Sequence, residues 1–324
     1  MILVTGATGM IGRAVVARLL ADGFEVRATG RSAESLDKTC SDSSKLRTAV
    51  ADFEYLDKEA ARKLTDGCTA IVHCAGLVHQ PKANNALYDR LNVEASKLLA
   101  RAAKENELQQ FIFLSSSSVY GNRSTEMIAE SAELHGDTPY AASKIATERD
   151  LQSTPPAPST VILRPSLVFG TGDRGNMLSL IRQVLSGKYF IVGDGNASKS
   201  LIFANDLAAA ISTLLKKPTQ GCAVFNIANQ DPVTVKQLSE AILKADEKDP
   251  AVPSVAPWFI QTAATAANLI LGSRSPLSAD RLAKLTRNNS VSTTAFHSQF
   301  PFKETDLRTA LQQEITWARK SNLL

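Results

Sequence analysis

Cysteine is scarce. The 324 residues hold four, Cys40, Cys68, Cys74 and Cys222, and none are spaced as C-x-x-C. That excludes a disulfide scaffold and suits reduced thiols in a cytoplasmic protein. Proline (13) and glycine (17) are too few and too scattered for a low-complexity or fibrous chain. The formal charge is only +4, and no run of Lys or Arg concentrates it; Lys216-Lys217 is a mere pair. Without a clustered basic face, nucleic acid is not an expected partner, although the mild excess suits an anionic small substrate. No apolar run is long enough to span a bilayer, which takes about 20 residues. The longest, 258–272, is interrupted by Gln261, Thr262, Thr265 and Asn268, and is expected to be an amphipathic helix packed on the protein itself. No basic leader opens the chain, so a signal peptide is not expected. A zinc site is not expected either. Cys68, His73, Cys74 and His79 cluster in sequence, but neighbours on a strand point to opposite faces, and the spacing fits no zinc pattern. His73 and Cys74 read as core, and His135 and His297 as surface residues. The serine-rich stretch lacks a G-x-S-x-G elbow, which argues against a hydrolase.

What is present is ordinary globular usage, 44% hydrophobic and 21% charged. The length suggests two domains, or one large α/β unit with an appendage. From residue 2, short β-branched runs alternate with helical patterns. Strands are expected at 2–5, 25–29, 46–50, 70–74, 111–115 and 161–164. Helices are expected at 12–22, 58–65, 87–105 and 140–151. This alternation predicts an α/β fold: a Rossmann-like, doubly wound parallel sheet covered by helices on both faces. Beyond Arg164-Pro165 the pattern loosens. Helices are expected at 177–186, 206–216, 235–245 and 303–320, with short strands at 188–192 and 201–203. The division expected is a dinucleotide-binding domain at 1–170 and a smaller substrate-binding lobe at 171–324, with interleaved elements.

Two groups of residues carry chemistry. Thr5-Gly6-Ala7-Thr8-Gly9-Met10-Ile11-Gly12 lies between the first strand and the first helix. Its glycines permit a sharp turn, close approach of backbone amides to a pyrophosphate, and tight helix–strand packing. About 20 residues on, where an acidic residue would bind the 2′-hydroxyl of NAD, the chain reads Thr29-Gly30-Arg31-Ser32. Arg31, with Ser32, suits a 2′-phosphate and favours NADP(H) over NAD(H). Asp52 and Phe53 follow the third strand and are placed to reach the adenine edge. The second group is Tyr140-Ala141-Ala142-Ser143-Lys144, which sets a phenol and an ammonium one helical turn apart. The ammonium is expected to pull the phenol below its usual pKa near 10. Ser115-Ser116-Ser117-Ser118 follows a strand, at the end of the sheet where such folds bind ligands.

Together, Thr5-Gly-x-x-Gly9-x-x-Gly12, Ser116 ahead of Val119-Tyr120-Gly121, Tyr140-x-x-x-Lys144 and Leu163-Arg164-Pro165 resemble the extended short-chain dehydrogenase/reductase family, and within it the nucleotide-sugar epimerase/reductase branch. The resemblance implies that Tyr140 is the acid/base, Lys144 its electrostatic partner and a ribose ligand, and Ser116 the hydrogen-bond donor to the reacting oxygen. It places Gly6, Gly9, Met10, Ile11, Ala75 and Gly76 against the cofactor and gives Asn92 a supporting role. It sets His79, Ser117, Asn176 and Lys199 on the substrate side, the last two at its diphosphate. Lys199 stands where an arginine is more usual, and Met10 where an aromatic is frequent. Dehydratases of the family carry an Asp-Glu pair at the positions of Ser117-Ser118, so dehydration is not expected. The reading implied is an NADP(H)-dependent reductase of a nucleotide-linked 4-keto sugar, most concretely a UDP-4-keto-6-deoxyhexosamine. The alternatives are an NAD-dependent UDP-sugar C4 epimerase, a reductase of non-sugar carbonyls, and a non-enzymatic scaffold with a vestigial site. A homodimer through paired helices is expected from the family alone.

Overall fold

Alternate residues of the first strand face opposite ways, and both directions are apolar, so both faces of the sheet must be covered. The computed structural model describes residues 1–39, 43–78, 84–121, 125–256 and 286–324. Ile2–Thr5 (β1) runs through a glycine turn into Met10–Ala21 (α1). Val26–Gly30 (β2), Ala33–Thr39 (α2), Leu46–Val50 (β3), Lys58–Thr65 (α3) and Ala70–His73 (β4) follow. Asn85–Tyr88 (α4) leads through a π-helical stretch, Asp89–Glu94, into Ala95–Glu105 (α5). Next come Gln110–Leu114 (β5), a 3-10 turn at Ser117–Tyr120, Thr125–Ile128 (β6), Pro139–Ser153 (α6), Ser159–Pro165 (β7) and Leu167–Phe169 (β8). The remainder comprises Asn176–Leu185 (α7), Ile191–Val192 (β9), Ser198–Lys199 (β10), Leu201–Phe203 (β11), Ala204–Lys216 (α8), Gly221–Ile227 (β12), Val233–Thr234 (β13), Val235–Ala245 (α9), Ser254–Val255 (β14) and Asn289–Val291 (β15). A short helix Thr294–His297 and a final helix Leu307–Lys320 close the chain.

Seven strands form one sheet in the order β12-β7-β5-β4-β1-β2-β3, and every pair is parallel. The strand order reverses between β1 and β4, which opens a crevice at their carboxyl ends. One face packs Val4, Val72, Ile112 and Leu163 against Val15 and Leu19 of α1 and Leu207 and Ile211 of α8. The other packs Leu3, Ile71, Phe111 and Phe113 against Leu64 of α3, Leu99 and Ala103 of α5 and Leu151 of α6. Fully burying such a side chain contributes roughly 1.5–3 kcal/mol, so these two layers hold the sheet between its helices. A third core joins α7, α9 and the final helix through Ile181, Ile242, Leu311 and Ile315. It neighbours a four-stranded sheet in the order β13-β10-β15-β6.

The chain crosses the expected boundary at 170 more than once. β12 pairs with β7 over its whole length, and α8 packs on α1. The expected helix at 87–105 is interrupted by the π-helical turn that carries Asn92. The strand expected at 188–192 shrinks to Ile191–Val192. The 258–272 stretch, Cys40 and His79 lie outside the described residues. His297 is not a surface residue: its ring stacks on Phe302 with centroids 5.0 Å apart and meets the Ala228 carbonyl at 3.1 Å.

Candidate active site

The crevice is closed on one side by glycine. Gly6 has φ +66°, and a Cβ there would lie 2.9 Å from the backbone of Ala75. A Cβ on Gly12 would lie 2.2 Å from the carbonyl oxygen of Gly6. Gly9 is the N-cap of α1 and offers no side-chain oxygen to its first amides. Met10 and Ile11 form that first turn and are half-buried. A helix start with unspent N–H groups behind a side-chain-free loop fits the pyrophosphate of a dinucleotide.

The loop after β4 is held from beneath by a buried relay. The Ala75 N–H donates to Thr5 Oγ1 at 3.0 Å. Thr5 Oγ1 lies 2.7 Å from His73 Nδ1, and His73 Nε2 lies 2.9 Å from Ser96 Oγ. Ser96 in turn donates to the Asn92 carbonyl. The pattern makes Nδ1 the acceptor and Nε2 the donor of a neutral imidazole. Burial, and secondarily the charge of Lys144, push the His73 pKa down to about 3. Asn92 supports the same loop from the other side. It accepts from the Leu77 N–H at 2.6 Å and donates to the Leu77 carbonyl at 3.1 Å and to Ser143 Oγ at 2.9 Å.

Tyr140 and Lys144 lie on α6, which begins at a Thr138 cap over the Ala141 N–H. Tyr140 is buried, and its hydroxyl is hydrogen-bonded to Ser116. Lys144 Nζ donates to the Leu114 carbonyl at 2.7 Å, 4.6 Å from the Phe113 ring centroid and 5.9 Å from that of Tyr140. A Cβ on Gly76 would lie 3.4 Å from Lys144 Nζ and 3.2 Å from Asn92 Oδ1, so the loop passes close against both side chains. Ala75, Gly76, Asn92, Ser116, Tyr140 and Lys144 thus converge at the switch point, with Gly6 against Ala75. The expected lowering of the phenol is not found. Burial pushes Tyr140 up to about 12, partly offset by the Ser116 hydrogen bond. Burial brings Lys144 down to about 8, opposed by the negative charge of Glu148.

The remaining candidates lie further out. Arg31 is exposed just past β2. The Ser32 hydroxyl caps α2, accepting from the Ser35 N–H at 3.2 Å and donating to Ser35 Oγ at 2.8 Å. Asp52 is exposed, accepts from the Glu54 N–H at 3.0 Å and lines a cleft of about 530 Å³ with Tyr55 and Leu56. The Phe53 ring is buried 6.0 Å from that of His73, because a benzyl group after β3 gains more in the core than in solvent. Ser117 opens the 3-10 turn beside Ser116. Asn176 is exposed at the first position of α7. Lys199 Nζ donates to the Arg287 carbonyl at 2.6 Å in the smaller sheet. Among the described residues no group of three or more His, Cys, Asp or Glu is arranged to hold a metal.

One buried participant, Glu148, escaped the sequence reading, and a second, Thr5, was read only as part of the glycine loop. Glu148, one turn beyond Lys144, pairs with Arg164 at 2.6 Å and accepts from Ser115. Thr5 anchors the relay under Ala75. A period of four through Tyr140, Lys144 and Glu148 was the available signal for the first.

A doubly wound parallel sheet, a glycine loop at its switch point and a Tyr–Lys pair on the following helix define an enzyme of the extended short-chain dehydrogenase/reductase type. A family model described as "NAD dependent epimerase/dehydratase family" matches residues 2–228, and the chain belongs to that family. It is 26% identical over 241 residues to the N-acetyl-alpha-D-glucosaminyl-diphospho-ditrans,octacis-undecaprenol 4-epimerase of Escherichia coli O157:H7, covering 73% of this chain and 70% of that one. It is 28% identical over 288 residues to UDP-glucose 4-epimerase 3 of Oryza sativa subsp. japonica, covering 76% of each. Among solved structures, MoeE5 in complex with UDP-glucuronic acid and NAD superposes with a TM-score of 0.74 at 26% identity, over 99% of both chains.

Proposed function

We propose that this chain is an NADP(H)-dependent oxidoreductase that reduces a nucleotide-linked 4-keto sugar, with a UDP-4-keto-6-deoxyhexosamine as its substrate. The carrying observation is the end of β2, where Gly30 and exposed Arg31 stand in place of a carboxylate. A guanidinium there suits a 2′-phosphate by charge-assisted hydrogen bonds, whereas a carboxylate would repel it. A Cβ on Gly30 would lie 2.8 Å from Thr8 Cγ2, so glycine lets the phosphate loop and the ribose end lie together. The bound dinucleotide supplies the hydride and, once oxidised, a positive charge. Ser116 donates to the keto oxygen, and Tyr140 gives it a proton as negative charge develops. A phenol held protonated up to about 12 by burial is ready for that donation. Lys144, still largely an ammonium below about 8, stabilises the phenolate left behind. Asn176 and Lys199 are assigned to the substrate diphosphate.

A second reading, a C4 epimerase that keeps NAD bound, is favoured by the names of the relatives. It uses the same residues, with Tyr140 alternating between base and acid. The two separate on the purified protein. The reductase reading expects no retained dinucleotide and NADPH oxidation on addition of UDP-4-keto-6-deoxy-N-acetylglucosamine. Tightly held NAD with interconversion of UDP-N-acetylglucosamine and its C4 epimer would replace it with the second.

A further inference from the structure

Removing two charges from water is expensive, and a buried ion pair is weak evidence for stability. Arg164 and Glu148 nonetheless sit at 3% and 1% side-chain exposure, beneath the crevice. Glu148 is on the same stripe of α6 as Tyr140 and Lys144, eight and four residues on from them. Its carboxylate is held in a fork: Arg164 Nη2 to Oε2 at 2.6 Å, and Nε to Oε1 and Oε2 at 3.1 and 3.2 Å. Oε1 also accepts from the hydroxyl of Ser115, the residue before Ser116. The other arm of the guanidinium, Nη1, donates to the Tyr120 hydroxyl at 2.8 Å and the Glu130 carbonyl at 2.9 Å. Tyr120 ends the 3-10 turn that starts after Ser116, and its hydroxyl donates to Asn226 Oδ1 at 2.6 Å on β12. The pair therefore grips the chain on both sides of Ser116. One residue upstream it holds Ser115; four downstream it holds Tyr120.

We propose that Glu148, locked by Arg164, is a positioning residue that sets Ser116 against Tyr140 through the Ser115 hydroxyl. This rests on the reading of Ser116 as the donor to the reacting oxygen. The β5 carbonyl of Leu114 is already fixed by Lys144, and the Ser115 N–H by the Leu163 carbonyl at 2.7 Å. The Ser115 side chain adds a link from the α6 stripe to the residue just before Ser116, apart from the Ser116–Tyr140 hydrogen bond itself. Lys144 and Glu148 thus tether consecutive residues of β5's end to the helix that carries the phenol. An ion pair that adds little to folding is kept because a displaced donor costs rate steeply.

The test is a double-mutant cycle between Ser115→Ala and Ser116→Ala, read by NADPH oxidation with UDP-4-keto-6-deoxy-N-acetylglucosamine and, in parallel, by epimerisation of UDP-N-acetylglucosamine. Ser115→Ala is expected to lower kcat about tenfold and to leave KM for substrate and cofactor within about threefold. In the Ser116→Ala background the same change is expected to have no effect, since the group it positions is gone. An equal loss in both backgrounds, or none in the wild type, overturns the proposal. If Ser116→Ala alone leaves kcat unchanged, the reading of Ser116 falls instead. Glu148→Gln, which keeps the shape and removes the charge, is expected to reproduce the kcat loss. Ser115→Ala carries the test should Glu148→Gln fail to fold. A crystal structure of Ser115→Ala decides independently of turnover: the Ser116–Tyr140 hydrogen bond is expected to be lost or lengthened, and its retention overturns the proposal.

Discussion

Tyr140 and His73 are two buried titratable groups that burial shifts in opposite directions, each toward its neutral form. For Tyr140 the neutral form is the proton donor. Tyr140→Phe is expected to lower turnover roughly 10²–10⁴-fold while NADPH still binds with nearly unchanged Kd. Turnover assays beside fluorescence titration check this, and full activity in the variant rejects the role. For His73 the consequence is a pH dependence of stability. Its folded pKa is about 3 against an ordinary 6.5, so between those values the unfolded chain takes up a proton that the folded chain refuses. The contribution is complete above pH 6.5 and is lost as pH falls toward 3. Between pH 7 and pH 5 the loss amounts to about 2 kcal/mol. Urea unfolding at the two pH values should show a smaller drop for His73→Gln than for the wild type; equal drops reject the assignment.

At the scale of the element, the glycine loop and the π-helical turn use opposite means to one end. The loop removes side chains so that α1, β1 and the segment after β4 meet through backbone alone. A Cβ on Gly12, 2.2 Å from the Gly6 carbonyl oxygen, has no flexible neighbour to yield. Gly12→Ala is expected to force the loop off α1, weaken dinucleotide binding at least tenfold and destabilise the fold by roughly 1–3 kcal/mol. Calorimetric titration and thermal melts check both; near-wild-type values in both would count against the close contact. The π-helical turn instead brings one polar side chain inward. Asn92 is 1% exposed, yet its amide serves Leu77 on both backbone groups and Ser143 on α6. The turn was not legible as helical periodicity, because the insertion that shifts Asn92 inward breaks the 3.6-residue repeat by which helices are read. α6 was legible as a helix, but which of its side chains are buried was not: beside Ala141, Ile145 and Leu151 they include Ser143, Lys144, Thr147 and Glu148.

At the scale of the molecule, the sheet is completed from far along the chain. β12 supplies its seventh strand, and α8 covers one face with Leu207, Ile211 and Leu214. Phe225 on β12 packs against Phe296 and Phe300, at centroid distances of 5.6 and 5.7 Å. A fragment of residues 1–170 would expose the partners of these groups and leave β7 as an open edge. It is expected to lack a cooperative thermal transition, which circular dichroism and calorimetry would reveal; a sharp melt would show that the first half is self-sufficient. The sequence marked α8 as a helix but left 221–227 without an assignment. Its Gly-Cys-Ala opening lacks alternation, and its burial is conferred by β7.

The alternation of apolar runs with amphipathic segments, and the glycines at 6, 9 and 12, were enough to determine a doubly wound parallel sheet with a dinucleotide loop. Those signals are local: each depends on backbone geometry within one strand, turn or helix. The contacts that shape the candidate site are not local. Tyr140 rises instead of falling because the packed layers bury its phenol, while Lys144 donates to the Leu114 carbonyl, 30 residues away in sequence. Phe53 turns into the core beside His73. Arg164 meets Glu148 across two elements and thereby frames Ser116. Hydrogen bonds and desolvation depend on which groups the packed layers bring within 3 Å, and only the tertiary structure decides that.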